Sequence, residues 1–111
     1  MRIELIPKEQ YDTIIDIYNK YPKLTYMNRD YDGIDISALG EEEQTAHKEV
    51  STILREHIKG FSRFNHFRNI NGRAQIRLQY NYNWDEGITF IGVGYLFVDE
   101  LLNGFDKPKE N

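Results

Sequence analysis

Residues 73–82 read RAQIRLQYNY, and they alternate without a break. Ala74, Ile76, Leu78, Tyr80 and Tyr82 fall on one parity; Arg73, Gln75, Arg77, Gln79 and Asn81 fall on the other. Successive side chains of a strand leave opposite faces, so a period of two over this length is a half-buried β-strand. One face belongs to a core. The other is a row of arginines and amides, which are solvated strand residues in the plainest reading and phosphate- or partner-gripping groups in the sharper one.

The neighbouring segments place this strand in a sheet. Phe64–Ile70 runs into Asn71-Gly72, a strong hairpin signal. A three-residue loop Ile70-Asn71-Gly72, with Gly72 in a left-handed bulge, would pair even positions with even ones and set Phe64, His66 and Arg68 on the face of Leu78 and Tyr80. That loop is the expectation here, in preference to a two-residue turn. After a second turn at 83–87, ITFIGVGYL (88–96) is apolar on both parities, as expected of a strand covered on both sides or central in its sheet.

Upstream, Ile3 and Leu5 alternate with Arg2 and Glu4 in a short strand that Pro7 stops. Tyr11, Ile14, Ile15, Tyr18 and Tyr21 recur at helical spacing over about 8–20. A second helix is predicted over about 41–59, with Ala46, Val50, Ile53, Leu54 and Ile58 on its apolar face and an acidic first turn. Val98, Leu101, Leu102 and Phe105 return to helical spacing. The fold class is therefore α+β: a small antiparallel sheet in the order β-α-α-β-β-β-α, with helices packed on one face. Residues 1–105 form a single domain and 106–111 a polar C-terminal tail. The order is similar to that of the N-terminal half of GNAT-type acyltransferases. A Gly-rich turn after the fourth strand holds pyrophosphate in that family; here the place reads LFVDELLNGFD (96–106), which offers no such loop.

The 111 residues suffice for one domain, which buries roughly 65% of its unfolded surface. A hydrophobic content of 40% and 14% aromatics exclude a disordered chain. Absence of cysteine excludes disulfides, thiolate metal sites and cysteine nucleophiles. There is no apolar run of membrane-spanning length and no signal pattern, so a cytoplasmic location is expected.

The net charge of −4 hides a division. Residues 55–77 carry Arg55, Lys59, Arg63, Arg68, Arg73 and Arg77 against Glu56 alone, whereas Asp30, Asp32, Asp35, Glu41, Glu42 and Glu43 form a carboxylate-rich connector and helix start. The carboxylates suit a basic partner surface. Their plainer role is to complement a helix dipole and form turns. Trp84, with Tyr82 beside it in a turn, is a candidate aromatic anchor. Lys48, Arg55, Lys59, Arg73, Gln75 and Arg77 are the residues a nucleic-acid backbone would use if helix stripe and strand face shared a side. An acidic whole and inward-pointing tyrosines oppose that reading.

Chemistry finds little support. DYDGID (30–35) resembles a calcium loop, but Asp35 stands where glycine is required. Glu43 and His47 lie one turn apart with no third ligand indicated, and His47 and Ser51 have no orienting acid. His57 and His66 read as hydrogen-bonded core residues. No enzyme, cofactor or metal is implied. The expectation is a small binding protein whose partner is a larger protein. It would be an inhibitor or immunity-type factor from a phage or mobile element, for example an anti-CRISPR-like inhibitor of a nucleic-acid-handling enzyme. A nucleic-acid-binding domain is the alternative.

Overall fold

The structure is a computed structural model describing residues 2–26, 36–85 and 87–103. Its elements are β1 (Arg2–Ile3), α1 (Lys8–Lys20), α2 (Glu41–His57), β2 (Ile58–Lys59), β3 (Phe61–Ile70), β4 (Arg73–Asp85), β5 (Ile88–Phe97) and α3 (Val98–Asn103), with short 3-10 turns at Pro22–Leu24 and Ile36–Ala38. β3, β4 and β5 form an antiparallel sheet in that order, and β1 and β2 form a separate two-stranded ribbon. The helices lie against one face of the larger sheet, so the molecule has the α+β architecture expected of the sequence. Phe105, Gly104 and the tail 106–111 lie outside the described residues.

Alternation in β4 is borne out on the helix side. Ile76 and Leu78 are fully buried. They join Phe64, Phe67 and Leu96 from the sheet, Ile14 and Ile17 from α1, Val50 and Leu54 from α2, and Leu101 from α3 in one core. Tyr80 is partly buried at its edge, and Tyr82, further out, is exposed.

The hairpin departs from expectation. Ile70 pairs directly with Arg73, which leaves a two-residue turn with both φ angles positive, Asn71 at 53° and Gly72 at 85°. That is the primed turn for which Asn-Gly is suited. It pairs odd positions with even ones, so Phe67 meets Ile76 and His66 meets Arg77. The strand then corrects itself. Register shifts at Asn65 and Ser62 bring Phe64 opposite Leu78 and Phe61 opposite Tyr80. Each bulge inserts one residue, which turns a spacing of two into a spacing of three. Phe61, Phe64 and Phe67 therefore all face the helices although they stand three apart, a spacing that imitates a continuing helix. The two-residue turn itself puts His66 and Arg68 on the face of Arg77 and Gln75, opposite to the side expected for them.

Other boundaries follow local chemistry. Glu43 Oε1 accepts the Gly40 N–H at 2.8 Å, and Glu41–Glu43 lie at the positive end of the α2 dipole. α2 stops at His57, and Ile58 is already extended. In the first strand Ile6, not Leu5, is buried. β5 is an edge strand, not a central one.

Gly60 makes the turn between β2 and β3 at φ +82°. A Cβ there would lie 2.7 Å from the Asn81 carbonyl oxygen, because Asn81 donates its N–H to the Gly60 carbonyl at 2.7 Å. Gly72 has similar φ but open space around it. Gly72→Ala is expected to cost about 1 kcal/mol from backbone strain alone. Gly60→Ala should cost about 3 kcal/mol or more, since strain and collision add. Urea midpoints of the two variants check this; equal losses would show that β4 does not approach Gly60 closely.

Candidate partner-binding surface

The sheet face away from the helices is where the arginines lie, and most are already engaged. Arg73 binds Asp99 through two hydrogen bonds of 2.7 and 3.0 Å and stacks over Phe97 with its guanidinium carbon 3.6 Å from the ring centre. Arg68 stands over Tyr95 at 5.2 Å, and Arg77, largely buried, donates to the Tyr95 hydroxyl at 3.3 Å. Gln75 is half-buried. The Arg73 and Arg68 guanidinium groups thus stand over aromatic rings of β5.

The helix stripe lies elsewhere. α2 buries Ala46, Val50, Ile53 and Leu54 against the opposite side of the sheet. Lys48 faces a groove between α1 and α2 together with Glu49 and Glu56. Arg55 packs over Phe61 at 5.2 Å, and Lys59 sits in β2 opposite Arg2. The structure does not bring Lys48, Arg55 and Lys59 onto one side with Arg73, Gln75 and Arg77.

Of the predicted carboxylates, Asp30, Asp32 and Asp35 lie outside the described residues. Glu43 is spent on the α2 cap. Glu41 and Glu42 join Asp16 and Glu49 around an open groove of about 460 Å³ between α1 and α2, over Ile17 and Ala46, with Lys20 as its cation.

The aromatic end of the β4–β5 hairpin is more distinctive. β3 pairs with β4 only as far as Tyr80, so the hairpin continues beyond it as a two-stranded arm. Tyr82 stacks on Phe90 across the arm, with ring centres 5.7 Å apart and planes 26° apart, and Tyr80 follows at 5.8 Å. Trp84, the other predicted anchor, lies in β4 where the register shifts, and its side chain is outside the described residues. Among the described residues, every exposed large hydrophobic side chain except Leu5 lies on this hairpin: Tyr82, Phe90, Ile91, Val93 and Tyr95. Ile91 is 66% exposed. Reading residues 88–96 as a covered strand hid the last three. The uncharged run itself was the only available signal, and it does not distinguish a central strand from a sticky edge.

The histidines do structural work. His57 Nε2 lies 2.9 Å from Gln10 Oε1. His66 is fully buried and contacts the Tyr26 ring edge-on. His47 stacks on Phe64 at 4.6 Å, with Nε2 3.3 Å from the Asn65 carbonyl oxygen, and Ser51 donates to the His47 carbonyl instead of its ring. No nucleophile–base pair results from His47 and Ser51. Among the described residues no group of three His, Asp or Glu side chains is placed to hold a metal ion, and no helix is long and apolar enough to cross a membrane.

No family model, curated protein or solved structure matches this chain.

Burial lowers the His47 pKa below the ordinary 6.5, against the opposing hydrogen bond that the ring makes to the Asn65 carbonyl and helped by the Arg63 charge. The unfolded chain therefore takes up this proton first as pH falls. Stability contributed by neutral His47 is complete above about 6.5 and is lost on acidification toward the lower folded value. Urea midpoints measured from neutral pH into the acid range should fall for the wild type and fall less steeply for His47→Leu. Parallel slopes would show that His47 protonates freely in the fold.

Proposed function

We propose that this chain is a small non-enzymatic protein-binding factor whose anchor is the aromatic arm of the β4–β5 hairpin. The observation that carries the reading is that, among the described residues, all exposed large apolar side chains but Leu5 lie on that hairpin, with Tyr82 and Phe90 stacked on the helix-side face of the arm and Ile91, Val93 and Tyr95 on the opposite face. Monomer surfaces scatter such residues, and a gathered set marks an interaction site. Stacked rings give large rigid contact area at small entropic cost, as binding anchors do. Glu41, Glu42, Asp16 and Glu49 supply a separate acidic surface that steers toward a basic partner.

A partner that handles nucleic acid has such a basic surface. The concrete form of this proposal is a cytoplasmic inhibitor or immunity-type factor of a phage or mobile element, of the anti-CRISPR-like kind, directed at a nucleic-acid-handling enzyme. The alternative, direct nucleic-acid binding through Lys48, Arg55, Lys59, Arg73, Gln75 and Arg77, is weakened by two facts: those residues lie on two sides of the sheet, and Arg73 is held by Asp99.

Affinity capture from nuclease-treated bacterial lysate, followed by binding measurements with the captured protein, tests the proposal. Tyr82→Ala with Phe90→Ala should weaken binding at least about 30-fold, the loss of one strong anchor. Glu41→Lys with Glu42→Lys should slow association and flatten its salt dependence. Binding to DNA or RNA that falls steeply with salt and is lost in Arg55→Glu with Lys59→Glu would instead establish the alternative.

A further inference from the structure

The two edges of the β3-β4-β5 sheet are built differently. An unpaired edge invites pairing with another strand, and proteins usually blunt it with bulges, charges or a covering segment. β3 has all three. It carries the bulges at Ser62 and Asn65, it presents Arg63, and Thr25–Tyr26 docks along it, with the Tyr26 N–H donated to the Phe67 carbonyl at 2.9 Å. β5 has none. Its 10 residues, ITFIGVGYLF, contain no charge, no proline and no bulge of their own, and among the described residues no strand pairs with its outer side.

The register fixes which backbone groups that edge offers. Odd positions of β4 direct their amides toward β3, as the Asn81 N–H to Gly60 bond shows. Even positions of β4 therefore bond β5, where their partners are Phe90, Gly92, Gly94 and Leu96. Thr89, Ile91, Val93, Tyr95 and Phe97 consequently turn their N–H and C=O groups outward. Glu100 Oε1 accepts the Phe97 N–H at 3.2 Å, in keeping with this parity. The side chains of Ile91, Val93 and Tyr95 at these positions are exposed.

We propose that a second copy of this chain occupies this edge, with the two β5 strands antiparallel and a two-fold axis at Val93. In that register Val93 meets Val93 of the other copy, Ile91 meets Tyr95, and Thr89 meets Phe97. Outward amides then face outward carbonyls at the odd positions, save the Phe97 N–H that Glu100 already holds, giving about eight interchain hydrogen bonds. Aromatic and β-branched side chains stand opposite one another, a favourable cross-strand combination. The strand is close to palindromic in its chemistry about Val93, as a two-fold interface requires. On the helix side Gly92 meets Gly94. Here Tyr80 already lies where a Gly92 side chain would be, its ring 2.8 Å from that Cβ position. The product is a continuous six-stranded sheet whose remaining edges are the two blunted β3 strands.

The test needs no other protein, so it stands or falls independently of the partner-binding reading. Light scattering coupled to gel filtration at tens of micromolar should give twice the 13.2 kDa of the chain. Val93→Lys places two charges against each other on the axis and should give the monomer mass. Val93→Pro should do the same with an unchanged circular dichroism spectrum, because the lost N–H points away from β4 and proline is tolerated on such an edge. If the proline variant does not fold, single cysteines decide. Val93→Cys should form an interchain disulfide under mild oxidation, with Cα atoms about 5.5 Å apart. Ile91→Cys should not, since its copies stand about 14 Å apart. A monomeric wild type, a dimer that survives Val93→Lys, or equal cross-linking at both positions would overturn the proposal. So would a larger oligomer, because the two-fold pairing closes.

Discussion

Phe61, Phe64 and Phe67 are the contact on which the rest of the molecule depends. They reach the helix side of the sheet only because β3 is bulged at Ser62 and Asn65. Phe64 and Phe67 are fully buried and meet at 5.0 Å, Phe64 receives His47 from α2, and Phe67 receives Tyr18 from α1 at 5.3 Å. Each ring therefore couples the sheet to a different helix. Without the bulges a regular strand would send alternate members of a three-spaced set to opposite faces, and α1 and α2 would have no common surface to pack on. The bulges also place Asn65 where its carbonyl meets His47, and they leave the β3 edge irregular. One local irregularity thus sets core, helix docking and edge protection together.

The same register explains the arginines. Because His66 and Arg68 turn away from the helices, the open face gathers Arg68, Arg73 and Arg77 beside Tyr95 and Phe97. Guanidinium groups lie flat on aromatic rings and keep their donors for oxygen partners such as Asp99 and the Tyr95 hydroxyl. These contacts shield rings that no helix covers. They also account for a basic strand face in an acidic protein without requiring a polyanion. The shielding runs out along β5: Arg73 and Arg68 cover Phe97 and Tyr95 at one end, while Val93 and Ile91 stay open toward the arm.

The helices were legible because each has a single uninterrupted period and a clear start. Parity placed Ile76 and Leu78 inside for the same reason. The β3 register was not legible, since a three-residue spacing of phenylalanines is shared by a helix and a twice-bulged strand, and no local residue marks Ser62 or Asn65 as unpaired. The turn misled through parity: a regular strand needs the longer loop to bring Phe64 and Leu78 together, and the bulges remove that need. Of the candidate site residues, Tyr82 is exposed and stacked on Phe90, although the alternation of β4 pointed it into the core. Ile91, Val93 and Tyr95 were not legible, because a strand apolar on both sides looks alike whether its neighbour is part of the same chain or another molecule. Glu43 was legible in its plainer role, three residues after the helix start where a capping carboxylate belongs.

In the proposed reading, this domain acts through its surfaces. Its histidines are stacked or hydrogen-bonded inside the structure, and the α1–α2 groove is open and lined by Asp16, Glu41, Glu42 and Glu49 with Lys20 among them. An arm that outruns its sheet, by contrast, loses little on being covered. Its strands are already ordered by each other, so docking there immobilises few additional torsions, and water leaves apolar rings instead of charged groups. In the reading proposed above, carboxylates on the helix layer and aromatics on the arm divide the two tasks of association. The first act at a distance and govern encounter, and the second act only on contact and govern residence.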